Sequence, residues 1–249
     1  MTADRAPVRC GNCGIALDPS PEDIAARPPC PKCGSAKRAY YMKGSGLNLT
    51  NYALDTFVAH RLSELTSCGA PQLMEESKWT NTFILNTIFR FSAPAKLRAY
   101  LLNFVRRAEA ASAAYREARR QLLEYLATPR NVISPYFLSL AQFEVCITQC
   151  YQGYELIASA VGAKLYKPGE DSVESRLQTV YVDSKHMDKM INGEKLPESA
   201  TSGIWITNSG IESCRGSITF QELHDLLSAM HKLAEQLCTM RPPRSEFHQ

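Results

Sequence analysis

Hydrophobic residues recur along most of the chain at helical spacing. No glycine or internal proline interrupts the segment from Pro94 to Thr128, and its apolar residues repeat every three or four positions. This pattern predicts one long amphipathic helix. A second long helix is predicted from Ser134 to about Val161, with Ser134 as its cap, Pro135 in its first turn and Gly162 after its end.

Shorter helices are predicted on both sides of this pair. The segment 47–65 has helical spacing, with Leu54 and Phe57 among its apolar positions. The segment Trp79–Phe91 is apolar and rich in Thr, Ile and Phe, and we interpret it as a helix although periodicity alone does not separate it from a strand. Asp171 or Ser172 is expected to cap a helix over 173–191.

The C-terminal part of the chain combines one extended segment with a last helix. Residues 203–214, around Ile204 and Trp205, have the β-branched and aromatic content of a strand. Thr219 and Glu222 have the spacing of a capping box that starts an amphipathic helix. The sequence therefore predicts a mainly α protein, an up-and-down helical bundle over residues 44–240 with a tail at 241–249.

Residues 1–43 have a different pattern, because they contain two CxxC pairs and few apolar residues. The motifs are CGNCG and CPKCGS, with sixteen residues between the pairs. The four predicted metal ligands are Cys10, Cys13, Cys30 and Cys33. Thiolates at this spacing are typical of a tetrahedral Zn²⁺ site, with iron as the main competitor. Four protein ligands leave no open coordination position, so the metal is expected to be structural.

This N-terminal module resembles the zinc-ribbon class over residues 8–40. Zinc ribbons take part in nucleic-acid binding, protein docking and simple support, so the resemblance implies a scaffold and not one function. The chain has nine cysteines, an odd number. Together with the CxxC pairs, this favours metal binding over a disulfide framework. We assign no chemistry to the other five cysteines.

Composition indicates a soluble protein. The 249 residues carry a formal charge of +3, and no apolar run reaches the length that crosses a bilayer. The first residues have no apolar stretch typical of a secretory signal. A cytoplasmic protein without membrane contact is therefore expected.

Positive charge is concentrated in two places. Residues 1–43 hold seven Lys and Arg against four acidic residues, and the predicted helix 94–128 holds seven against three. Such basic surfaces indicate RNA or DNA as a binding partner, although a solvated helix face has the same composition. The predicted nucleic-acid-binding residues are Lys37, Arg38, Arg106, Arg107, Arg116, Arg119 and Arg120.

One polar cluster is a candidate catalytic site. The sequence lacks a Gly-rich phosphate loop, a nucleophile elbow and an HExxH motif, which argues against common nucleotide-dependent enzymes, hydrolases and zinc proteases. Arg176, Lys185 and His186 lie on the predicted helix 173–191. Ten positions separate Arg176 from His186, so they differ by about 80° around the helix axis. Ion pairing, capping and packing are the alternative roles of these residues.

The segments ISPYFLSLAQFEVCITQCYQGYEL, SRLQTVYVDSKHMDKMI and IWITNSG, followed by the final amphipathic helix, resemble the HEPN superfamily of helical bundles. The resemblance covers about residues 134–238. It implies a homodimer and, in members with an Arg followed after four to six residues by a His, a metal-independent ribonuclease. Here nine residues separate Arg176 from His186.

In a HEPN-type ribonuclease His186 would exchange the proton, while Arg176 and Lys185 would stabilise the phosphate. Three functions remain open from the sequence. The first is a protein that binds nucleic acid, RNA in particular, or a protein partner. The second is a HEPN-type ribonuclease of a bacterial defence or toxin system, and the third is an assembly scaffold without catalysis.

Overall fold

The chain forms two compact units in the computed structural model, Met1–Asn48 and Leu49–Gln249. We call them the metal unit and the helical unit. The structure describes residues 8–17, 28–40, 51–74, 78–89, 93–128, 132–193, 196–197 and 200–240. The predicted tail at 241–249 lies outside these residues. The mainly α class is confirmed, with four cysteines placed close together near the N-terminus.

The metal unit contains a small antiparallel sheet. Its strands are β1 (Val8–Cys10), β2 (Ala16–Leu17) and β3 (Arg38–Tyr40), in the order β2-β1-β3. Arg9 pairs with Ala16 on one side and with Ala39 on the other. The sheet therefore holds the first CxxC turn, which joins β1 to β2, against the strand that follows the second CxxC turn.

The helical unit consists of long helices and a second small sheet. Its helices are α1 (Asn51–Phe57), a 3-10 turn (Leu62–Glu64), α2 (Trp79–Phe89), α3 (Ala95–Ala127), α4 (Ser134–Val161), α5 (Val173–Lys185), α6 (Met187–Asn192) and α7 (Phe220–Thr239). Its antiparallel strands are β4 (Ile204–Ile206), β5 (Gly210–Ser213) and β6 (Ser217–Thr219), in that order across the sheet. Within the described residues, no helix is both long enough and apolar enough to span a membrane.

The centre of the helical unit is an antiparallel pair formed by α3 and α4. The Ser139 hydroxyl donates to the Ala118 carbonyl at 2.8 Å, whereas Arg107 bonds to Gln149 at the other end of the pair. Small buried residues along α3 allow the neighbouring helices to approach closely. They are Ala108, Ala111, Ser112, Ala114 and Ala118. Phe143 of α4 is fully buried and carries this contact on to α7, because its ring packs against Tyr115 and Phe220.

Several predicted boundaries are confirmed. Helices α3 and α4 begin and end within about one residue of the predicted positions. The capping box of α7 is present, since the Thr219 hydroxyl accepts from the Glu222 amide at 3.1 Å and the Glu222 carboxylate accepts from the Thr219 amide at 2.9 Å. Ser172, one of the two predicted caps of α5, accepts from the Ser175 amide at 3.3 Å.

Other expectations were wrong for local reasons. The helix predicted over 47–65 ends at Phe57, whose side chain is 71% exposed. The Asp55 carboxylate accepts hydrogen bonds from the amide and hydroxyl of Ser63, each at 2.7 Å, and Arg61 has a left-handed φ of 55°. These local bonds form a turn that competes with helix continuation. Ser134 lies in the first turn of α4, and the residue at its cap position, Ile133, has no side-chain cap.

The C-terminal region also differs from the prediction. The helix expected over 173–191 is divided into α5 and α6 at His186, whose φ and ψ of −114° and 42° are not helical. The extended segment 203–214 contributes two strands to a sheet of three. The sequence indicated the extended backbone but not the third strand, Ser217–Thr219, which has three residues.

Asn208, in the β4–β5 turn, ties the sheet to the loop before α2. Its side-chain oxygen accepts from the amides of Thr66 and Ser67, both at 2.9 Å, and its carbonyl accepts from the Gly69 amide at 3.0 Å. A Cβ on Gly69 would lie 2.5 Å from that carbonyl oxygen, so the contact requires glycine. The loop is also bonded to α3, where the Tyr115 hydroxyl donates to the Pro71 carbonyl at 2.9 Å.

Candidate metal site and basic surfaces

The four predicted ligands form one sulfur cluster in the metal unit. The ligand atoms of Cys10, Cys13, Cys30 and Cys33 all lie within 4.8 Å of one another. The Sγ atoms of Cys10 and Cys33 are 3.5 Å apart, and those of Cys13 and Cys30 are 3.7 Å apart. These separations are too long for disulfides. They match the edge of about 3.8 Å expected for a tetrahedron of four sulfurs, each about 2.3 Å from a central metal.

Two similar turns aim the sulfurs at one point. The Gly14 amide donates to the Cys10 carbonyl at 3.0 Å, and the Gly34 amide donates to the Cys30 carbonyl at 2.8 Å. Both glycines have positive φ, 72° and 69°. A residue with a side chain is strained in this conformation, so the glycine after each CxxC pair closes the turn.

Hydrogen bonds and crowding control the charge of the sulfurs. Amides of the Cys13 and Asn12 backbone lower the pKa of Cys10 to about 6. For Cys13 the Ile15 amide also lowers the pKa, but burial and the three neighbouring sulfurs outweigh it and raise the value to about 11. Four thiolates at this separation therefore repel one another. A bound cation removes the repulsion, so the donor set fits a metal with four thiolate ligands.

The surface around the cluster is basic. The described part of the metal unit contains Arg9, Lys32, Lys37 and Arg38 and no Asp or Glu. Arg9, Lys32 and Lys37 are exposed, and the Lys37 carbonyl accepts from the Gly11 amide at 2.9 Å. Arg38 is the first residue of β3 and pairs with Cys10. Lys37 and Arg38 were predicted as binding residues, whereas Arg9 and Lys32 entered the sequence argument only as part of the charge count.

Three of the predicted binding arginines on α3 bond within the protein. Arg119 Nε donates to the Ala70 carbonyl at 2.9 Å, and an Arg116 Nη donates to the Met74 carbonyl at 3.4 Å. Both therefore help to hold the loop before α2. The exposed Arg120 forms ion pairs with Glu117 and Glu124 of its own helix, at 2.6 and 3.2 Å.

The other two, Arg106 and Arg107, line a cavity of about 410 Å³ in the helical unit. Arg107 Nη1 donates to Gln149 Oε1 of α4 at 2.8 Å, and Arg106 Nη1 donates to Asn103 Oδ1 at 3.2 Å. The structure thus divides the predicted α3 arginines into two that hold the loop before α2, one that pairs within its own helix, and a cavity pair. Sequence reasoning did not identify Gln149, Thr80 or Glu109 as further lining residues, because they come from three different helices.

The residues proposed for catalysis are not gathered in one place. Arg176, near the start of α5, donates to the Asp171 carboxylate at 2.9 Å and to Glu222 of α7. Lys185 Nζ lies 5.7 Å from the centre of the Tyr181 ring at the end of α5. His186 follows Lys185 and ends the helix. Arg176 and His186 differ by ten positions, which corresponds to about 15 Å along a helix axis. Arg176 therefore joins two helix starts, whereas Lys185 and His186 lie at a helix end.

A partly buried histidine in α7 contacts both α2 and α3. His231 Nε2 hydrogen-bonds to the Ser112 hydroxyl, and its ring packs edge-on against Trp79, with the ring centres 4.6 Å apart. Burial, followed by the nearby positive charges of Arg116 and His224, lowers the pKa of His231 to about 4. Ser112 is fully buried and also donates to the Ala108 carbonyl, so this pair has a structural role.

No protein-family model matches the chain, and neither curated proteins nor solved structures give a match. The geometry of the site therefore carries the functional argument.

Proposed function

We propose that the protein binds single-stranded nucleic acid, RNA in particular, through the basic surface of its metal unit, and that Zn²⁺ holds this surface in place. The observation that carries the proposal is the charge distribution around the sulfur cluster. Residues 1–43 hold seven Lys and Arg against four acidic residues, and Arg9, Lys32 and Lys37 are exposed. Phosphate groups bind such a surface by displacing counterions.

The negative charge of the metal centre offsets part of the positive charge of the metal unit. Four thiolates with one Zn²⁺ carry a net charge of about −2. Residues 1–43 hold seven Lys and Arg against four acidic residues, a net charge of +3, so a net charge of about +1 remains with zinc bound. The Asn12 amide nitrogen, 3.6 Å from Cys33 Sγ, further reduces the negative potential at the sulfurs. A polyanion therefore meets a net attractive field.

Zinc is our assignment for the metal. The sulfur separations fit tetrahedral coordination, which zinc adopts in closed structural sites. All four positions would be taken by protein thiolates, so the metal's contribution would be to folding and not to a reaction. The residues that hold it would be Cys10, Cys13, Cys30 and Cys33.

The test is fluorescence anisotropy of the full-length protein with labelled single-stranded RNA, at several salt concentrations. We expect the affinity to fall steeply with salt, and the Lys32→Gln/Lys37→Gln variant to bind more weakly. The slope of log affinity against log salt should decrease by roughly one for each lysine–phosphate pair that the substitutions remove. Lys96→Gln is the matched control, because Lys96 is an exposed lysine in the helical unit. Zinc content is measured in every variant.

The outcomes separate the alternatives. No RNA binding at low salt, or equal binding by the double variant and the control, contradicts the proposal. Tighter binding of DNA of the same sequence would show that DNA, and not RNA, is the ligand. Cleavage of the RNA that disappears in His186→Ala would instead support the ribonuclease, because a catalytic imidazole has to exchange a proton in each turnover.

A second candidate function, self-association, is favoured by the outer face of α2. One side of this helix is buried through Trp79 and Phe83. The opposite side exposes four large apolar residues, Ile84 (40%), Leu85 (56%), Ile88 (66%) and Phe89 (76%). We call these four residues the α2 face. Large apolar side chains that are exposed side by side on one face of a helix mark an interaction site.

The size of the α2 face fits a second copy of the chain. The exposed fractions correspond to roughly 500 Å² of apolar side chain, more than half of the approximately 800 Å² that each partner contributes to a standard interface. The four residues carry no charge, and Arg98 of α3 lies beside Ile84 and Ile88 in the same groove, so the centre of two identical faces can pair through apolar side chains. We therefore propose an isologous dimer through α2.

Light scattering of the full-length protein tests this dimer. The wild type should show about twice the chain mass of 27.7 kDa, and Ile88→Glu/Phe89→Glu should shift it to the monomer. Leu123→Glu is the control, since Leu123 is an exposed leucine on α3 away from the α2 face. A monomeric wild type at high concentration, or a double variant that remains dimeric, contradicts the proposal.

A further inference from the structure

The cavity beside Arg106 and Arg107 has the features of a ligand site that is separate from the metal unit. Its lining residues come from three helices, with Thr80 from α2, Gln149 from α4 and the others from α3. Its volume of about 410 Å³ lies in the range of small-molecule sites, about 300 to 1,000 Å³. The cavity is therefore large enough for a small organic molecule.

Two arginines of the cavity lining, Arg106 and Arg107, are suited to bind an oxyanion. A guanidinium has five N–H donors, and Arg106 and Arg107 each use one of them, on Asn103 and Gln149 respectively. These bonds fix the direction of the side chains while leaving most donors for a ligand. Adjacent arginines held in this way match the several acceptor oxygens of a phosphate group.

Glu109 provides hydrogen-bond acceptors in the same lining. Glu109 Oε2 accepts from the hydroxyl and the amide of Thr80, the latter at 3.3 Å. Glu109 Oε1 has no bond to a described residue, so it can accept a hydrogen bond from a ligand hydroxyl. Thr80 partly compensates the negative charge of Glu109, and the two arginines leave the lining net positive. The cavity lining thus combines the guanidinium donors of Arg106 and Arg107 with the carboxylate of Glu109.

The remaining lining residues determine which kind of molecule can be attached to the bound anion. Ala110 and Ala113 are exposed and present only methyl groups, so a compact ring can lie against α3. The residues that line the cavity include no aromatic side chain, and hence no ring on which a nucleobase would stack. An inorganic phosphate has five non-hydrogen atoms and would occupy only a small part of the space. The lining fits an anion joined to a body that carries hydroxyl groups.

We propose that this cavity binds a sugar phosphate. The phosphate is held by Arg106 and Arg107, a sugar hydroxyl donates to Glu109, and the ring lies over Ala110 and Ala113. This site is independent of the proposed nucleic-acid surface. Its failure would leave the RNA proposal unchanged, and the reverse is also true.

Isothermal titration calorimetry of the full-length protein tests the site, with ribose 5-phosphate and glucose 6-phosphate as probes. We expect one of them to bind at least about tenfold more tightly than inorganic phosphate or unphosphorylated sugar, because each charge-assisted hydrogen bond contributes a factor of this order. A nucleoside monophosphate serves as the comparison with an aromatic body. It should bind more weakly than the sugar phosphate.

Three variants and one control locate the binding. Arg106→Gln/Arg107→Gln should reduce the affinity at least about tenfold, since it removes both guanidinium groups. Ala113→Phe should do the same by filling the cavity without changing its charge. Glu109→Gln should reduce the preference for sugar phosphate over inorganic phosphate, because it replaces the hydroxyl acceptor by a donor. Arg98→Gln should have no effect, because Arg98 is an exposed arginine of the same helix that does not line this cavity.

The proposal is overturned if no probe binds at about 1 mM. It is also overturned if binding is unchanged in both Ala113→Phe and the double arginine variant. Preferential binding of the nucleoside monophosphate would replace the sugar phosphate as the ligand class. Thermal unfolding of each variant shows whether a loss of binding comes from a loss of folding.

Discussion

The two units of this protein are stabilised in opposite ways. Among the residues of the metal unit whose side chains the structure describes, only Cys10 and Cys30 are buried, and both belong to the sulfur cluster. The helical unit has a continuous core that joins α3, α4, α7 and the second sheet. In the first unit the described burial is therefore confined to a sulfur cluster that fits a metal ion, whereas apolar burial stabilises the second. The difference predicts that each unit can be disrupted separately.

Metal loss should have the largest effect. Structural zinc contributes apparent free energies of about 10 to 16 kcal/mol to small domains at neutral pH, and the metal unit has little else to stabilise it. Cys30→Ser should therefore unfold residues 8–40 and abolish stoichiometric zinc, while far-UV circular dichroism of the helices remains. Cys68→Ser, a cysteine of the helical unit, is the control. Normal zinc content in Cys30→Ser would contradict the assignment of the ligands.

Truncation of a core side chain should destabilise the helical unit and leave the metal unit intact. Phe143 is fully buried between Tyr115 and Phe220. Phe143→Ala should lower the free energy of unfolding of the helical unit by about 3 to 5 kcal/mol, measured by urea denaturation. Zinc content should stay at the wild-type value. Loss of zinc in this variant would show that the two units do not fold independently.

Protonation of His231 should lower the stability of the helical unit in acid. Its pKa is about 4 in the folded protein, below the ordinary value of 6.5, so the unfolded chain binds a proton that the folded chain does not. Stability is therefore full above about pH 6.5 and decreases as the pH falls towards 4. Because the ring is only partly buried, we expect a loss of about 1 to 2 kcal/mol. His231→Gln should remove this part of the pH dependence in denaturation curves, and an unchanged dependence would contradict the assignment.

The smallest effect is expected at the surface of α3. Arg120 pairs with Glu117 and Glu124, but all three side chains are well exposed. Exposed ion pairs contribute little, so Arg120→Gln should change the free energy of unfolding by less than about 0.5 kcal/mol. A decrease of more than about 1 kcal/mol in urea denaturation would show that charge, and not only burial, stabilises the helical unit.

The sequence predicted features that depend on neighbouring residues. The CxxC pairs identify the sulfur cluster, and the capping box at Thr219 identifies the start of α7. In each pair and in the capping box, the residues that form the signal lie within a few positions of one another. Long-range contacts had no such signal. Arg176 and Glu222 are 46 positions apart, so nothing in the sequence indicated that this arginine is used between two helices.

The same limit explains the arginines of α3. Their spacing predicted an amphipathic helix correctly, but their partners come from elsewhere in the chain. Arg119 bonds to Ala70 and Arg107 to Gln149, across 49 and 42 positions. Sequence periodicity gives the side of a helix on which a residue lies and does not give the segment that covers it. The cavity beside Arg107 was therefore outside the reach of sequence reasoning.

The Asn208 contact has a consequence for the order of folding. The α3–α4 pair joins segments that are close in sequence, so it can form as soon as both helices have been synthesised. Thr66, Ser67 and Gly69 bond to Asn208 from about 140 positions away. On the ribosome, the amides of this loop must stay without these partners until the β4–β5 turn has emerged. Closure of the loop is therefore a late event that follows synthesis of the β4–β5 turn.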